Sequence, residues 1–142
     1  MFGMETLPDV EIQESPKVSI GYFMLSMLQL SAQSKILHWQ TKYDREHRHY
    51  GDFYNGFNDL MDTLIEAIAG KCGKGELKFG EAALEVCDYE MAVDEFFEMV
   101  EVSLKRIFAS MFDREDDSEL FNIVDEIMDL VNKTKYLLQF EP

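Results

Sequence analysis

Hydrophobic residues recur every three or four positions along most of this chain, which is the spacing of one face of an α-helix. The pattern predicts four helices, at 16–41, 45–71, 88–112 and 118–139. No segment alternates apolar and polar residues in the way that a half-buried strand does. The sequence therefore predicts an all-α protein.

The connections between these helices differ in length. Short polar breaks separate the first helix from the second and the third from the fourth, whereas a glycine-rich stretch at 72–87 separates the two pairs. Tight turns place consecutive helices antiparallel, and a long connection lets the chain cross to the other end. We therefore predict a ferritin-like four-helix bundle, with 72–87 as the crossover and a short helical piece at 81–86. The whole of 1–142 is expected to form one domain, with a loose acidic segment at 1–14.

The first two helices carry many large apolar side chains. On the first helix, the residues expected to face the core are Val18, Tyr22, Leu25, Leu28, Ala32, Ile36 and Trp39. Tyr22, Phe53, Tyr54 and Phe57 together exceed what one narrow core stripe can absorb, and a surplus on the surface favours association. We therefore predict a homo-oligomer with a two-fold interface formed by helices one and two.

Charge excludes several classes of partner. The chain has 28 Asp and Glu residues against 13 Lys and Arg, a formal net charge of −15. Such a field repels nucleic-acid phosphates and anionic membranes. No apolar stretch approaches the roughly 20 residues of a membrane span. The first 14 residues lack the basic and apolar regions of a signal peptide. We expect a cytoplasmic protein that binds neither nucleic acid nor membrane.

The candidate chemistry lies around the first interhelical turn. His38, His47 and His49 are the only histidines. On the second helix, His47 lies about 60° around the axis from Asp62, whereas His49 lies about 140° away, so His47 is the better candidate ligand. Asp62 and Glu66 share one face, about 40° apart. His47 and Glu66 are about 28 Å apart along the helix, so a site that uses both needs an antiparallel two-fold partner.

Several of these residues resemble, in order and spacing, the signature of the Dps mini-ferritins over 25–70. They are the run His38-Trp39-Gln40, then His47, Tyr54, Asp59, Asp62 and Glu66. The resemblance implies a ferritin-like fold and iron bound between subunits, in a di-metal or ferroxidase-type site. His38 and His47 would come from one subunit, and Asp62 and Glu66 from its neighbour. Imidazole and carboxylate ligands also suit manganese and zinc.

The chain departs from the mini-ferritin pattern at several positions, including Gly70-Lys71 in place of a glycine pair and the lack of a lysine-rich tail, and two departures concern the candidate site. The family's further carboxylate, four residues after the second histidine, falls on Gly51, and the adjacent Asp52 is a candidate extra ligand although it is rotated by about 100°. The arginine that usually follows the glutamate is Ala67. These departures favour an alternative function, a non-enzymatic interaction or virion-associated protein on the same bundle. The segment 132–138 resembles small bacteriophage proteins, which implies a host cytoplasm or a virion as the location.

Overall fold

A computed structural model describes residues 19–93 and 95–140 and shows an all-helical fold. Within these residues there are five α-helices and no strand, which confirms that the protein is all-α. The helices are α1 (Ile20–Gln40), α2 (Asp44–Cys72), α3 (Tyr89–Ala92), α4 (Phe96–Val102) and α5 (Ser118–Leu138). The segment at 1–14 lies outside the described residues.

The bounds of α2 and α5 lie within one residue of the predicted ones. The start of α1 was predicted too early. Ser19 has an extended backbone, with φ −94° and ψ 160°, and its hydroxyl accepts a hydrogen bond of 3.0 Å from the backbone N–H of Tyr22. Ser19 is therefore the N-cap, and the helix begins at Ile20 rather than at position 16.

The predicted third helix at 88–112 is broken into pieces. α3 ends at Ala92, and α4 begins at Phe96. After α4 the chain continues in a π-helical turn (Ser103–Ile107) and a 3₁₀ turn (Phe108–Ser110). The prediction of one continuous helix over this stretch was therefore wrong.

The spacing of the buried residues explains why this helix is broken. They recur every four positions, at Ala92, Phe96, Val100, Leu104 and Phe108. In a regular α-helix, side chains four residues apart are rotated by about 40° from each other, so a long series drifts away from the core. An interruption before Phe96 and a wider π-helical turn each change that rotation. All five side chains can then be buried on one side.

The crossover at 73–88 runs along the whole length of α1. At one end, a Cβ atom on Gly21 would lie 1.8 Å from the carbonyl oxygen of Lys78. At the other end, the N–H of Tyr89 donates to Oε1 of Gln40 at 2.7 Å. From position 21 to 40 the helix rises about 28 Å.

The helical piece predicted at 81–86 is not formed. In a helix over these residues the N–H of Glu85 would donate to the carbonyl of Glu81, but it donates instead to Oε1 of Gln29 at 2.6 Å. The structure has no helix there, and its single helical turn in the crossover is Lys74–Glu76, among the described residues. The prediction of helix at 81–86 was wrong because a glutamine side chain of α1 takes the backbone hydrogen bond that a helix would form within the segment.

Contacts between side chains establish the directions of α1 and α4. The hydroxyl oxygens of Ser26 and Ser103 are 3.4 Å apart, and the rings of Phe23 and Phe108 lie 5.5 Å apart. Later residues of one helix therefore contact earlier residues of the other. α4 and the π-helical turn run antiparallel to α1.

α5 returns along α2 in the opposite direction. Nζ of Lys71, near the end of α2, contacts Oε2 of Glu119 at 2.7 Å near the start of α5. At the other end, Nη2 of Arg45 donates to the carbonyl oxygen of Leu137 at 3.3 Å. α1 and α5 therefore run one way, and α2 and α4 run the other.

The face of α1 that packs on the core agrees with the prediction at Leu25, which is buried, but differs from it elsewhere. Phe23, Met27 and Leu37 are fully buried, whereas Leu28 is 40% exposed and Trp39 is 65% exposed. The prediction failed because α2, α4 and the crossover pack on several sides of α1, which buries polar residues such as Gln33 and Ser34 together with apolar ones. Periodicity alone cannot choose a face in such a helix.

Two of the aromatic residues expected to be surplus belong to the core. Phe53 and Phe57 have no exposed surface, and their rings stack with centroids 5.3 Å apart. They cannot contribute to an interface between subunits. The exposed apolar surface of helices one and two is instead provided by Leu28 and Trp39. Phe53 and Phe57 therefore give no support for an oligomer, and the oligomer itself stays a prediction.

Candidate functional site

The turn between α1 and α2 brings His38 and His47 into direct contact. Nδ1 of His38 lies 2.6 Å from the backbone oxygen of His47, and Nδ1 of His47 lies 2.7 Å from the backbone oxygen of His38. The carbonyl of His38 is one of the last four of α1, which have no partner within the helix. The two histidines therefore join the end of one helix to the beginning of the next by a reciprocal pair of hydrogen bonds.

These hydrogen bonds determine which ring nitrogens carry protons. A carbonyl oxygen can only accept, so Nδ1 donates in both rings. In the neutral imidazole the other nitrogen, Nε2, then keeps its lone pair. Within 19–93 and 95–140 neither Nε2 has a hydrogen-bond partner. His38 and His47 each present one free nitrogen ligand.

The two rings stack with centroids 3.8 Å apart and planes 17° from parallel. The lone pair of each Nε2 lies in the plane of its own ring. Nearly parallel planes at this separation do not direct both lone pairs at one point. In a single chain the two Nε2 atoms therefore do not chelate one ion, and further ligands are needed.

Gly51 provides the space for this arrangement. A Cβ atom at position 51 would lie 2.8 Å from Cε1 of His38. Glycine within a helix costs about 1 kcal/mol relative to alanine, so its presence in α2 needs a reason. The approach of the His38 ring to the helix supplies that reason, and the position where the mini-ferritin pattern has a carboxylate is here occupied by the ring itself.

A hydrogen-bond network beside the pair holds the same turn. The carboxylate oxygen Oε1 of Glu46 accepts from the Thr41 hydroxyl at 2.6 Å and from the Tyr89 hydroxyl at 2.7 Å. Burial, and then the neighbouring Glu46, raise the pKa of the Tyr89 hydroxyl to about 12. Burial also raises the pKa of the Tyr50 hydroxyl. This network links the turn to α3, and local sequence spacing could not predict it because Tyr89 is remote from the turn along the chain.

The predicted carboxylate ligands lie elsewhere on α2. Asp52, Asp62 and Glu66 are all exposed on the outer side of the helix. Asp62 is 15 residues beyond His47, about 22 Å along the axis. Among the described residues, no group of three or more His, Cys, Asp or Glu side chains could hold a metal ion. One chain thus brings two of the five predicted ligands together, and leaves the carboxylates apart from them.

Comparison with known proteins identifies the family. A model of a family of unknown function, DUF5856, matches residues 38–138, and the chain belongs to that family. The matched range includes both members of the histidine pair. Neither the comparison with curated proteins nor that with solved structures finds a match. In the described part of the chain, no helix is long and apolar enough to cross a membrane.

Proposed function

We propose that this DUF5856 protein binds iron(II), or manganese or zinc in its place, through Nε2 of His38 and Nε2 of His47. One observation carries the proposal: both Nδ1 atoms donate to backbone carbonyls, while both Nε2 atoms lack a partner within the described residues. Histidines that bind metals usually donate their other ring N–H to a carbonyl or carboxylate, which fixes the tautomer and orients the ring.

The remaining ligands are proposed to come from a second copy of the chain. Asp62 and Glu66 are exposed and lie one helical turn apart. Two α2 helices that cross antiparallel near their middle would place His47 of each copy beside Asp62 and Glu66 of the other. The site would then contain imidazole and carboxylate ligands from both copies, a set that suits iron, manganese and zinc. Asp52 is a further candidate at the histidine end.

Electrostatics gives the metal a role in this association. The outer side of α2 carries Asp52, Asp59, Asp62 and Glu66, all exposed. Two such faces repel each other, because like charges at short range are unfavourable. A bound divalent cation would offset that repulsion. The exposed Leu28 and Trp39 on α1 would add apolar contact beside the acidic face.

The architecture that we propose for this function is a ferritin-like four-helix bundle. Three antiparallel pairs of helices support it, namely α1 with α2, α1 with α4, and α2 with α5. A crossover that spans the length of α1 also supports it. The third helix of the bundle would be the broken series that contains α3 and α4. Ferroxidase activity, the oxidation of iron(II) by dioxygen, and a cytoplasmic location are parts of the same proposal.

Calorimetric titration with iron(II) under anaerobic conditions tests the metal site. We expect wild-type protein to bind iron(II) at tens of micromolar, and His47→Ala and His38→Ala to lose most of that binding. His49→Ala is the matched control, since His49 lies in the same turn of α2 and is not one of the two stacked rings. An absence of binding of iron, manganese and zinc to wild type would overturn the proposal, and an equal loss with His49→Ala would place the ligands on another face.

A non-enzymatic interaction protein is the second candidate. The observation that favours it is the absence of a third ligand near His38 and His47 among the described residues of one chain. In that case the histidine pair would only stabilise the turn. Unchanged folding without metal uptake would support this second function.

A further inference from the structure

A cavity of about 140 Å³ lies between the crossover, α1 and the α3–α4 region. Three residues that carry sulfur line it, namely Cys87, Met91 and Met99, and none of the histidines does. Pockets for drug-sized ligands are larger, about 300 Å³ or more. The size of this cavity therefore suits an ion and the side chains around it.

The two methionines of this cavity differ from the others in exposure. Met91 is 72% exposed and Met99 is 46% exposed, whereas every other methionine that the structure describes is buried or half-buried. Single apolar residues on a surface need no explanation. Two exposed thioethers that share one cavity with a cysteine are instead a cluster of one kind of ligand.

The break before α4 keeps both methionines on one side of the chain. Met91 and Met99 directly precede Ala92 and Val100, which belong to the row of buried residues at intervals of four. In an unbroken α-helix, side chains eight residues apart would be rotated by about 80° from each other. The interruption that holds the buried row against one core therefore also aligns the residues before it, and both methionines line the same cavity.

The cysteine is held in place from α1. The buried Gln33 donates to the carbonyl of Cys87 at 2.8 Å and accepts from its N–H at 2.9 Å. The Cys87 thiol is half-buried and has no hydrogen-bond partner among the described residues. Oε1 of Gln29, on the same wall, is already bound by the N–H of Glu85. The sulfur atoms and the exposed carboxylate of Glu95 are therefore the side-chain ligands that the described lining leaves available.

We propose that Cys87, Met91 and Met99 form a binding site for copper(I), with three sulfur ligands. Thiolate and thioether ligands select soft ions such as copper(I). Zinc is bound by cysteine, histidine and carboxylate, so two thioethers favour copper(I) over zinc. Methionine has three rotatable bonds, which allow both thioethers to turn toward an ion at the mouth of the cavity.

The charges at this site also favour a monovalent ion. The Cys87 thiol releases its proton to water when it binds the metal, and the resulting thiolate balances the single charge of copper(I). A neutral centre suits a cavity whose walls include the apolar Leu30 and Phe96, because an unbalanced charge is costly beside apolar groups. The net charge of −15 attracts cations to the chain as a whole. The site is separate from the histidine pair and does not depend on iron binding.

Competition with the chelator bicinchoninate measures the binding of copper(I). The probe is the coloured copper(I) complex of this chelator under anaerobic conditions, which loses absorbance when the protein takes the ion. We expect wild-type protein to take one copper(I) per chain, and His47→Ala to do the same, since the histidines do not line the cavity. Retention of all the copper by the chelator would overturn the proposal.

Variants of the protein locate the copper. Cys87→Ser should weaken binding by at least about a hundredfold, and Met91→Leu and Met99→Leu by about tenfold each. Leucine has nearly the volume of methionine, so the fold should be kept while the thioether is removed. Cys72→Ser and Met128→Leu are the matched controls outside the cavity and should leave binding unchanged. An equal loss with Cys72→Ser would place the ion at the other thiol and overturn the proposal.

NMR of protein with isotope-labelled methionine methyl groups reports the ligands themselves. Copper(I) is diamagnetic, so the methyl signals of Met91 and Met99 should shift together on addition of one equivalent, while that of Met128 stays in place. Zinc at the same concentration should not shift them, because thioethers are poor ligands for zinc. Unshifted signals of Met91 and Met99 in protein that binds copper(I) would contradict the proposed ligand set.

Discussion

The imidazole of His38 lies against Gly51, so that a Cβ atom at position 51 would be 2.8 Å from Cε1 and 3.0 Å from Nδ1 of that ring. A side chain at position 51 would require the His38 ring to shift. A substitution there therefore tests the contact between the histidine pair and α2.

Gly51→Ala should therefore displace the His38 ring. In a helix interior the change to alanine normally stabilises by about 1 kcal/mol, but here the clash and the lost hydrogen bond should cancel that gain and cost about 1 kcal/mol more. Urea unfolding measures the difference, and the NMR signal of the Nδ1–H of His38 reports the loss of the bond. Gly70→Ala is the control, because no atom lies within 4 Å of a Cβ at that position of α2. Equal stabilisation by both substitutions would contradict the prediction.

Gln33→Leu should loosen the crossover. The Gln33 side chain is nearly buried, and it both donates to the carbonyl of Cys87 at 2.8 Å and accepts from its N–H at 2.9 Å. The substitution leaves both groups without a partner, which should cost about 2 to 4 kcal/mol in urea unfolding. Gln40→Leu removes a similar pair of bonds at an exposed position, where water can replace them, and should cost less than about 1 kcal/mol. A smaller loss for Gln33 than for Gln40 would show that the crossover is not held in this way.

Acid should weaken the contact between the end of α2 and the start of α5. Lys71 donates hydrogen bonds to the carboxylates of Asp117 and Glu119. These bonds lower the pKa of both carboxyl groups. A carboxylate with a lowered pKa stabilises the fold above its ordinary pKa, and that contribution is lost as the pH falls through the folded-state value. The loss should therefore occur below the ordinary values of 3.8 and 4.5.

Lys71→Met tests this linkage in urea unfolding at a series of pH values. The free energy of unfolding should differ most between wild type and variant near neutral pH, and the difference should shrink as the pH falls toward 3, because both carboxyl groups become protonated in either protein. Lys133→Met is the control, since Lys133 has no ion pair with a described residue. A constant difference between wild type and Lys71→Met over this range would contradict the assignment.

Association of the chain should depend on metal if the proposed site exists. Light scattering should give a mass above 16.6 kDa with iron(II), manganese or zinc, and a lower mass with a chelator. Asp62→Asn combined with Glu66→Gln should abolish the metal effect, because these carboxylates would bind the ion from the second copy. Asp59→Asn, a neighbouring exposed carboxylate, should leave the effect in place. A mass of 16.6 kDa under all conditions would contradict both the oligomer and the shared site.

The part of the candidate site that sequence predicted is the meeting of His38 and His47. A short turn between two helices brings the end of one beside the beginning of the next, and this follows from local spacing alone. The reciprocal hydrogen bonds, the stacked rings and the function of Gly51 depend on how closely α1 approaches α2. In the sequence alone, Gly51 indicated only that the further carboxylate of the mini-ferritin pattern is absent.

Local periodicity likewise determined α2 and α5, because each has one apolar face and one polar face whose pattern is independent of the rest of the chain. Tertiary structure decided the other elements. Which sides of α1 are buried depends on where α2, α4 and the crossover pack, and the crossover stays extended because glutamine side chains of α1 bind its peptide groups. The stretch at 88–112 breaks because side chains at intervals of four residues, such as Phe96 and Val100, must all reach one core. A pattern of residues specifies which side chains avoid water, but only the packed neighbours specify in which direction the core lies.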